Sequence, residues 1–280
     1  MRRLLLVFLC AGAGFGQPSR IISTSPGITE ILFAIGAGGS VVGVTSYCDF
    51  PEQVRRLPKI GSYSRPDPEK IAALRPDLVI LYGKRGDLAN RLAAMRLPSL
   101  VVEMNSLHEV MESIARIGAA TGRSENALRL VAQIRAQLEA ARQSAPAQRP
   151  KTLILVARQP GTLGGLIAAG PASWLGELAE AAGAENLIPA GGPRYPRISL
   201  EMVVSWNPDL ILDASGTMTA DGDEERHRQA ALRPWLERAD LKAVREGRIV
   251  VFSDELFVRP GPRVPQALAR ISEAIHRGKR

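Results

Sequence analysis

The sequence predicts an α/β protein of two doubly wound lobes of similar plan, joined by one long rigid α-helix, with a ligand cleft between the lobes. Three observations carry that expectation. Residues 124–145 are the strongest helical stretch: Ala127, Val131, Ile134, Leu138 and Ala141 recur at helical spacing among strong helix formers. At 1.5 Å per residue, about 20 residues span roughly 30 Å, the width of a small domain. The flanking halves repeat each other. Glu69 precedes Pro76-Asp77 and the apolar run Leu78-Val79-Ile80, and Glu201 precedes Pro208-Asp209 and Leu210-Ile211-Leu212. That interval far exceeds a solenoid repeat, so it suggests two lobes, not an array. Strand-type and helix-type segments also alternate through both halves, as parallel sheets with helical crossovers require.

Residues 1–16 read as an export signal. Met1-Arg2-Arg3 is a basic start, LLLVFLCAGA a short apolar run, and small residues lead to a cleavage point before Gln17. The run is too short to span a bilayer comfortably. Cys10 follows the bulky Val7, Phe8 and Leu9, so lipid anchoring is not expected. The first lobe is placed at 17–122. It should contain strands at 20–25, 41–44, 78–81 and 100–102, and helices at 29–35, 66–74, 87–95 and 107–120. The interlobe helix is placed at 123–148. Ser124 is its expected N-cap, Glu125 suits its dipole, and Pro146 and Pro150 follow it. The second lobe is placed at 149–280, with strands at 152–156, 210–212 and 248–252. Its helices are expected at 174–182, 201–206, 224–232 and 264–277. Pro234 should break or restart the third of these.

At 280 residues, 45% hydrophobic and 23% charged, the chain has ordinary globular composition and can bury a full core. Its formal charge is +8, and its isoelectric point near 10.0 raises nucleic-acid binding. The Lys and Arg are scattered, however, and no basic run is interleaved with aromatics, which favours a basic exported protein. With Cys10 removed with the signal, Cys48 stands alone and no internal disulfide can form. As a loop residue it reads equally as an inert thiol or a reactive one.

Ligands of open α/β sheets bind beyond the carboxyl ends of the strands. Tyr47 and Tyr82 fall just past such ends, while Tyr63 and Tyr195 lie in the loops leading to Glu69 and Glu201. A tyrosine offers an apolar face and a polar tip, which suits a large ligand that is part ring and part amide. Phosphate-loop, HExxH and paired CxxC signatures are absent, and His108, His227 and His276 lie far apart. No catalytic or metal residue is assigned. Glu69 or Glu201 taken alone could simply favour a helix dipole. The recurrence of one position in both lobes suggests instead two carboxylates docking on a two-fold symmetric partner bearing Arg or Lys.

The segments Arg20-Ile-Ile-Ser-Thr-Ser-Pro26, Gly43-Val-Thr-Ser-Tyr47-Cys-Asp49-Phe-Pro51, Pro58-Lys-Ile-Gly61, Gly183-Ala-Glu185-Asn186, Tyr195-Pro196, Ser199-Leu-Glu201 and Ser253-Asp254 carry a family likeness. Together with Pro76-Asp77, the chain resembles the cobalamin-binding members of the periplasmic substrate-binding proteins with a helical backbone. The resemblance implies an exported, non-enzymatic, monomeric carrier that delivers a corrinoid to the permease dimer of an ABC importer. The corrinoid would be cargo, not a cofactor. Glu69 and Glu201 match the permease-docking carboxylates, Tyr47 a pocket tyrosine and Asp254 a pocket acid. Tyr63, Tyr82 and Tyr195 fall where well-known cobalamin binders carry Trp, and the 161–165 stretch lacks an expected Phe. A ferric-siderophore or haem carrier is the alternative, favoured by an arginine set at Arg65, Arg85 and Arg194. A two-lobed enzyme such as a metallochelatase would need a converging acid/base or metal set.

Overall fold

The computed structural model describes residues 17–83, 86–215 and 223–277. The expected signal at 1–16, with Cys10, lies outside them, as does Arg85. The first half runs β1 (Ile21–Ser23), α1 (Pro26–Ala34), β2 (Val41–Val44), α2 (Pro68–Ala73), β3 (Leu78–Tyr82), α3 (Gly86–Ala94), β4 (Ser99–Val102) and α4 (Leu107–Ala120). Its strands form one all-parallel sheet in the order β2-β1-β3-β4. After α5 (Ser124–Gln143) come β5 (Lys151–Ala157), β6 (Leu166–Ala168), α6 (Trp174–Ala181), β7 (Glu185–Asn186), β8 (Arg197–Ile198), α7 (Leu200–Trp206) and β9 (Leu210–Asp213). The chain closes with α8 (Glu224–Leu236), α9 (Lys242–Arg245), β10 (Ile249–Val251) and α10 (Val264–His276).

The two halves share a plan only in part. In both, an aspartate just before a strand clamps the start of its neighbour. Asp77 Oδ2 accepts from the Ser19 and Arg20 amides at 2.8 and 3.0 Å, and Asp209 Oδ2 accepts from the Lys151 amide at 2.9 Å. The interval from Glu69 to Glu201 equals that from Asp77 to Asp209. The second sheet, however, is mixed. Its order is β10-β9-β5-β6-β8, with β6 antiparallel to both β5 and β8. Strands of two or three residues carry too few side chains to show a period, so β6 and β8 have no sequence signal.

Alternation along the strands divides the core into layers. In β1 and β3, Ile21 and Ile80 face inward, while Ile22, Val79 and Leu81 face an outer cluster with Ile71, Leu88 and Leu92. In β5 and β9, Ile154, Leu210 and Leu212 face inward, and Leu153, Leu155 and Ile211 face outward with Trp235. Both faces are buried, as expected of parallel strands. The inward layers of both lobes merge into one continuous core. The stripe Ala127, Val131, Ile134 and Leu138 of α5 lies within it, and α5 packs against α4 of the first lobe and against α6 and α10 of the second. The long helix is therefore embedded between the lobes, not a bare spacer.

Two expectations need correction. Arg123, not Ser124, occupies the N-cap of α5, and it makes no side-chain cap bond. The helix α8 runs through Pro234. A proline inside a helix removes one backbone bond. Here the next residue, Trp235, is fully buried and donates its indole N–H to Asp213 at 2.8 Å. Arg158 caps the Ala231 carbonyl one turn earlier. These anchors hold the turn that the proline would otherwise break.

Candidate functional site

Because the strands of the first sheet are parallel, their carboxyl ends share one edge. Tyr82 ends β3 there. Its amide donates to Thr24 Oγ1 at 3.2 Å, and Thr24 Oγ1 donates to the Ile80 carbonyl at 3.0 Å, so the end of β1 sets the end of β3. Tyr63 stands in a turn closed by the Gly61–Pro66 bridge. Gly61 has φ +109, a conformation that favours glycine. The Tyr63 and Tyr82 rings lie 5.9 Å apart at 38°, a tilted aromatic pair.

Tyr195 reaches the same place from the second lobe. Its loop is pinned by the Gly170 amide on the Arg194 carbonyl at 2.8 Å and the Ala168 amide on the Pro196 carbonyl at 3.0 Å. Burial pushes the Tyr82 phenol above its ordinary pKa, and Tyr63, Tyr195, Glu103 and Glu109 add to the rise. Burial likewise raises Tyr195, against the pull of Arg194 and with the push of Glu109 and Glu177. Three phenols, two from one lobe and one from the other, thus share one electrostatic neighbourhood, in which Tyr82 and Tyr195 keep their protons.

Tyr47 follows β2, two strand spacings or about 10 Å from the end of β3. It is 54% exposed. The neighbouring Cys48 is buried, with Sγ 3.2 Å from the Thr29 and Thr45 hydroxyls. Burial raises its pKa, so it is a packed thiol and not a reactive one. Asp254 caps the turn at 255–257 through the Leu256 amide at 3.0 Å and pairs with Arg270 of α10 at 3.0 Å. Its two oxygens therefore hold the second lobe together.

Two seams join the lobes beside these tyrosines. In one, Glu30 on α1 pairs with Arg263, and Arg259 links Asp49 of the first lobe at 2.5 Å to Glu255 of the second. Gly27 lies so close to the Pro260 carbonyl that any side chain there would collide with it. In the other, the Trp174 amide donates to the Asn105 carbonyl at 2.8 Å, and the Leu107 amide donates to Glu177 Oε2 at 2.6 Å. Arg194 stands 3.9 Å from Glu109 across the same seam and donates to the Ala172 carbonyl. Sequence reasoning missed Glu30, Asn105, Arg259 and Arg263, each of which has a partner in the other lobe. The only local hint was Ser106-x-x-Glu109, a helix-start pattern, in which Ser106 Oγ does accept from the Glu109 amide at 3.2 Å.

Of the arginine set expected for an anionic chelate, Arg65 is exposed, and Arg194 stands near Glu109 and donates to the Ala172 carbonyl. Among the described residues, no three His, Cys, Asp or Glu stand together as metal ligands.

Glu69 and Glu201 each occupy the second position of a short helix. Asp67 caps α2 and Ser199 caps α7. Glu69 is largely exposed and pairs with Arg91 of α3 at 2.8 Å. The Ser199 hydroxyl holds the Glu201 carboxyl below its ordinary pKa, with Arg238 adding through space. A shallow hollow of about 350 Å³ beside Glu201 is walled by Leu200, Val204, Ser205 and Arg238.

Comparison with known proteins agrees with this architecture. A vitamin B12-binding protein of Vibrio campbellii is 26% identical over 274 residues, covering 96% of this chain and 94% of that protein. An ABC transporter substrate-binding lipoprotein of Bacillus subtilis is 28% identical over 269 residues, covering 93% and 81%. Among solved structures, a periplasmic heme-binding protein of a Roseiflexus species superposes with a TM-score of 0.78 at 30% identity, covering 94% of this chain and 99% of that one. The model of the periplasmic binding protein family matches residues 21–256, and the chain belongs to that family.

Proposed function

We propose that this chain is an exported solute-binding protein that captures a corrinoid between its lobes and hands it to the permease of an ABC importer. The observation that supports the reading is the electrostatic neighbourhood shared by Tyr63 and Tyr82 of one lobe and Tyr195 of the other. Flat apolar faces with polar tips fit a large macrocycle fringed with amides. Tyr47 at the neighbouring strand end would extend that surface, and Asp254 would support it by holding the 255–257 turn. Glu69 and Glu201 would dock on cations of the permease dimer. No bond is made or broken in this role. The relatives named for vitamin B12 and for an ABC transporter support it, and the lipoprotein among them makes the fate of Cys10 worth direct measurement.

Haem is the second reading, favoured by the heme-binding neighbour. A phenol that ligates ferric iron must give up its proton, and the surroundings of Tyr82 and Tyr195 oppose that loss. Calorimetric titration of the purified chain with cyanocobalamin and, separately, with haemin decides between them. Heat at roughly micromolar cyanocobalamin supports the corrinoid reading. Heat and a shifted Soret band with haemin alone would replace it.

A further inference from the structure

The helices α4 and α6 begin at the seam between the lobes, and their first turns are capped in the same way. Each has its own serine on its third amide. Ser106 Oγ accepts from the Glu109 N–H at 3.2 Å, and Ser173 Oγ accepts from the Gly176 N–H at 3.0 Å. An α-helix leaves its first N–H groups without intrahelical partners. Here the first amide of each helix is satisfied from the other lobe. Trp174, which opens α6, donates to the Asn105 carbonyl at 2.8 Å. Leu107, which opens α4, donates to Glu177 Oε2 of α6 at 2.6 Å. Leu107 and Trp174 are both buried, so the two bonds exclude water together and break together when the lobes part.

These caps stand beside the tyrosines. Asn105 Oδ1 accepts from the Tyr82 hydroxyl at 3.2 Å. Arg194, next to Tyr195, stands 3.9 Å from Glu109 and donates to the Ala172 carbonyl just before α6. We propose that this reciprocal capping is a latch between the lobes, and that Glu177 is its positioning residue, setting how often the lobes part along this seam and so how long the cargo stays bound. The inference rests on the carrier reading, since residence time has meaning only for a cargo held between lobes. Burial raises the Glu177 pKa; the Leu107 amide, Arg194 and His108 oppose the rise, and Glu109 adds to it. The surroundings therefore do not favour its charge, and the cap calls for an acceptor of the right reach, not for an anion.

Amide hydrogen exchange of the ligand-free chain, read by NMR, tests the latch. In Glu177→Leu the Leu107 amide loses its own partner and exchanges faster whatever Glu177 does. The Trp174 amide keeps its partner, the Asn105 carbonyl, so it exchanges faster only where the lobes part more often. Its rate rises about tenfold, the scale of one lost hydrogen bond to a carboxyl group. Release of radiolabelled cyanocobalamin, chased with excess unlabelled ligand, quickens by the same factor. Glu177→Gln keeps an acceptor of the same reach and restores both rates. A Trp174 amide that exchanges in Glu177→Leu as in wild type reduces Glu177 to a local cap of α4 and overturns the inference. Glu177→Asp, one carbon too short, gives the same readout should the leucine variant not fold. A glutamine variant as fast as the leucine one, or faster Trp174 exchange with unchanged cyanocobalamin release, overturns it as well. A chain that binds no cyanocobalamin overturns the corrinoid reading, and the Trp174 exchange rate alone then decides the latch.

Discussion

Glu30 and Arg263 bind the two lobes through a bidentate pair, with Arg263 Nε and Nη2 at 2.7 and 2.6 Å from the two carboxylate oxygens. The Glu30 side chain is 1% exposed and that of Arg263 is 20% exposed. Burial raises the Glu30 pKa, and the Arg263 hydrogen bonds and charge oppose the rise. Such a pair adds little over a well-packed apolar pair, but losing one partner strands the other charge. Glu30→Ala should therefore cost about 3 kcal/mol in urea unfolding. Glu30→Leu with Arg263→Met should recover most of the loss. A double variant no better than Glu30→Ala alone would show that packing around Gly27 and Pro260, not the charge, joins this seam.

The two expected docking carboxylates are not equivalent. Glu69 is already paired with Arg91, and docking must break that pair. Among the described residues no cation stands within ion-pair distance of Glu201, while Arg238 is held by Asp240 at 2.8 and 2.6 Å as a wall of the hollow. The faces differ too: Met202 and Val204 are exposed beside Glu201, where the matching positions beside Glu69 are Lys70 and Ala72. An arginine stem could lie in the hollow with its guanidinium on Glu201. Glu201→Ala should weaken binding to the reconstituted permease about threefold or more beyond Glu69→Ala, because exposed ion pairs are weak competitors. Val204→Asp should also weaken it, and Ala72→Asp should do so far less. Ligand affinity should not move in any of them; if it falls, these side chains serve the cleft.

What could be read in the sequence follows from how local each signal is. The α5 stripe and the limits of β2 and α4 were legible because apolar periodicity and caps act within one element. The Glu69/Glu201 and Asp77/Asp209 repeat was legible because both lobes reuse one strand-clamping device. Tyr63, Tyr82 and Tyr195 stood out as loop residues, but their meeting depends on how the lobes close. Asn105 had no signal, since its role comes from groups supplied by β3, α4 and α6. Arg259 and Arg263 find their partners 210 and 233 positions away, beyond any local pattern. The merged inner core was equally hidden: burial of Ile154 against the same layer as Ile80 is a property of the assembled lobes.

The aspartate clamps set the acid limb of stability. The Ser19 hydroxyl and amide hold Asp77 below its ordinary pKa, with the Arg20 amide assisting. Burial pushes Asp209 upward, but the Lys242 hydrogen bond, the Lys151 amide and the charges of Lys242 and Arg248 outweigh it and leave it lowered. A carboxyl depressed in the folded state binds fewer protons than in the unfolded chain. Its stabilisation is thus present above the unfolded value, near 3.9 for aspartate, and is lost as pH falls through the lower folded value. Glu30 has the opposite sign: its raised pKa favours the folded state below the unfolded value and withdraws that support as pH rises through the folded one. Asp77→Asn and Asp209→Asn should therefore each flatten the decline of the urea midpoint between about pH 4 and pH 2. Glu30→Gln should instead flatten any fall of that midpoint as pH rises above about 4.3. An acid limb as steep in Asp77→Asn with Asp209→Asn as in wild type would mean that other carboxylates, and not the two strand clamps, govern acid unfolding.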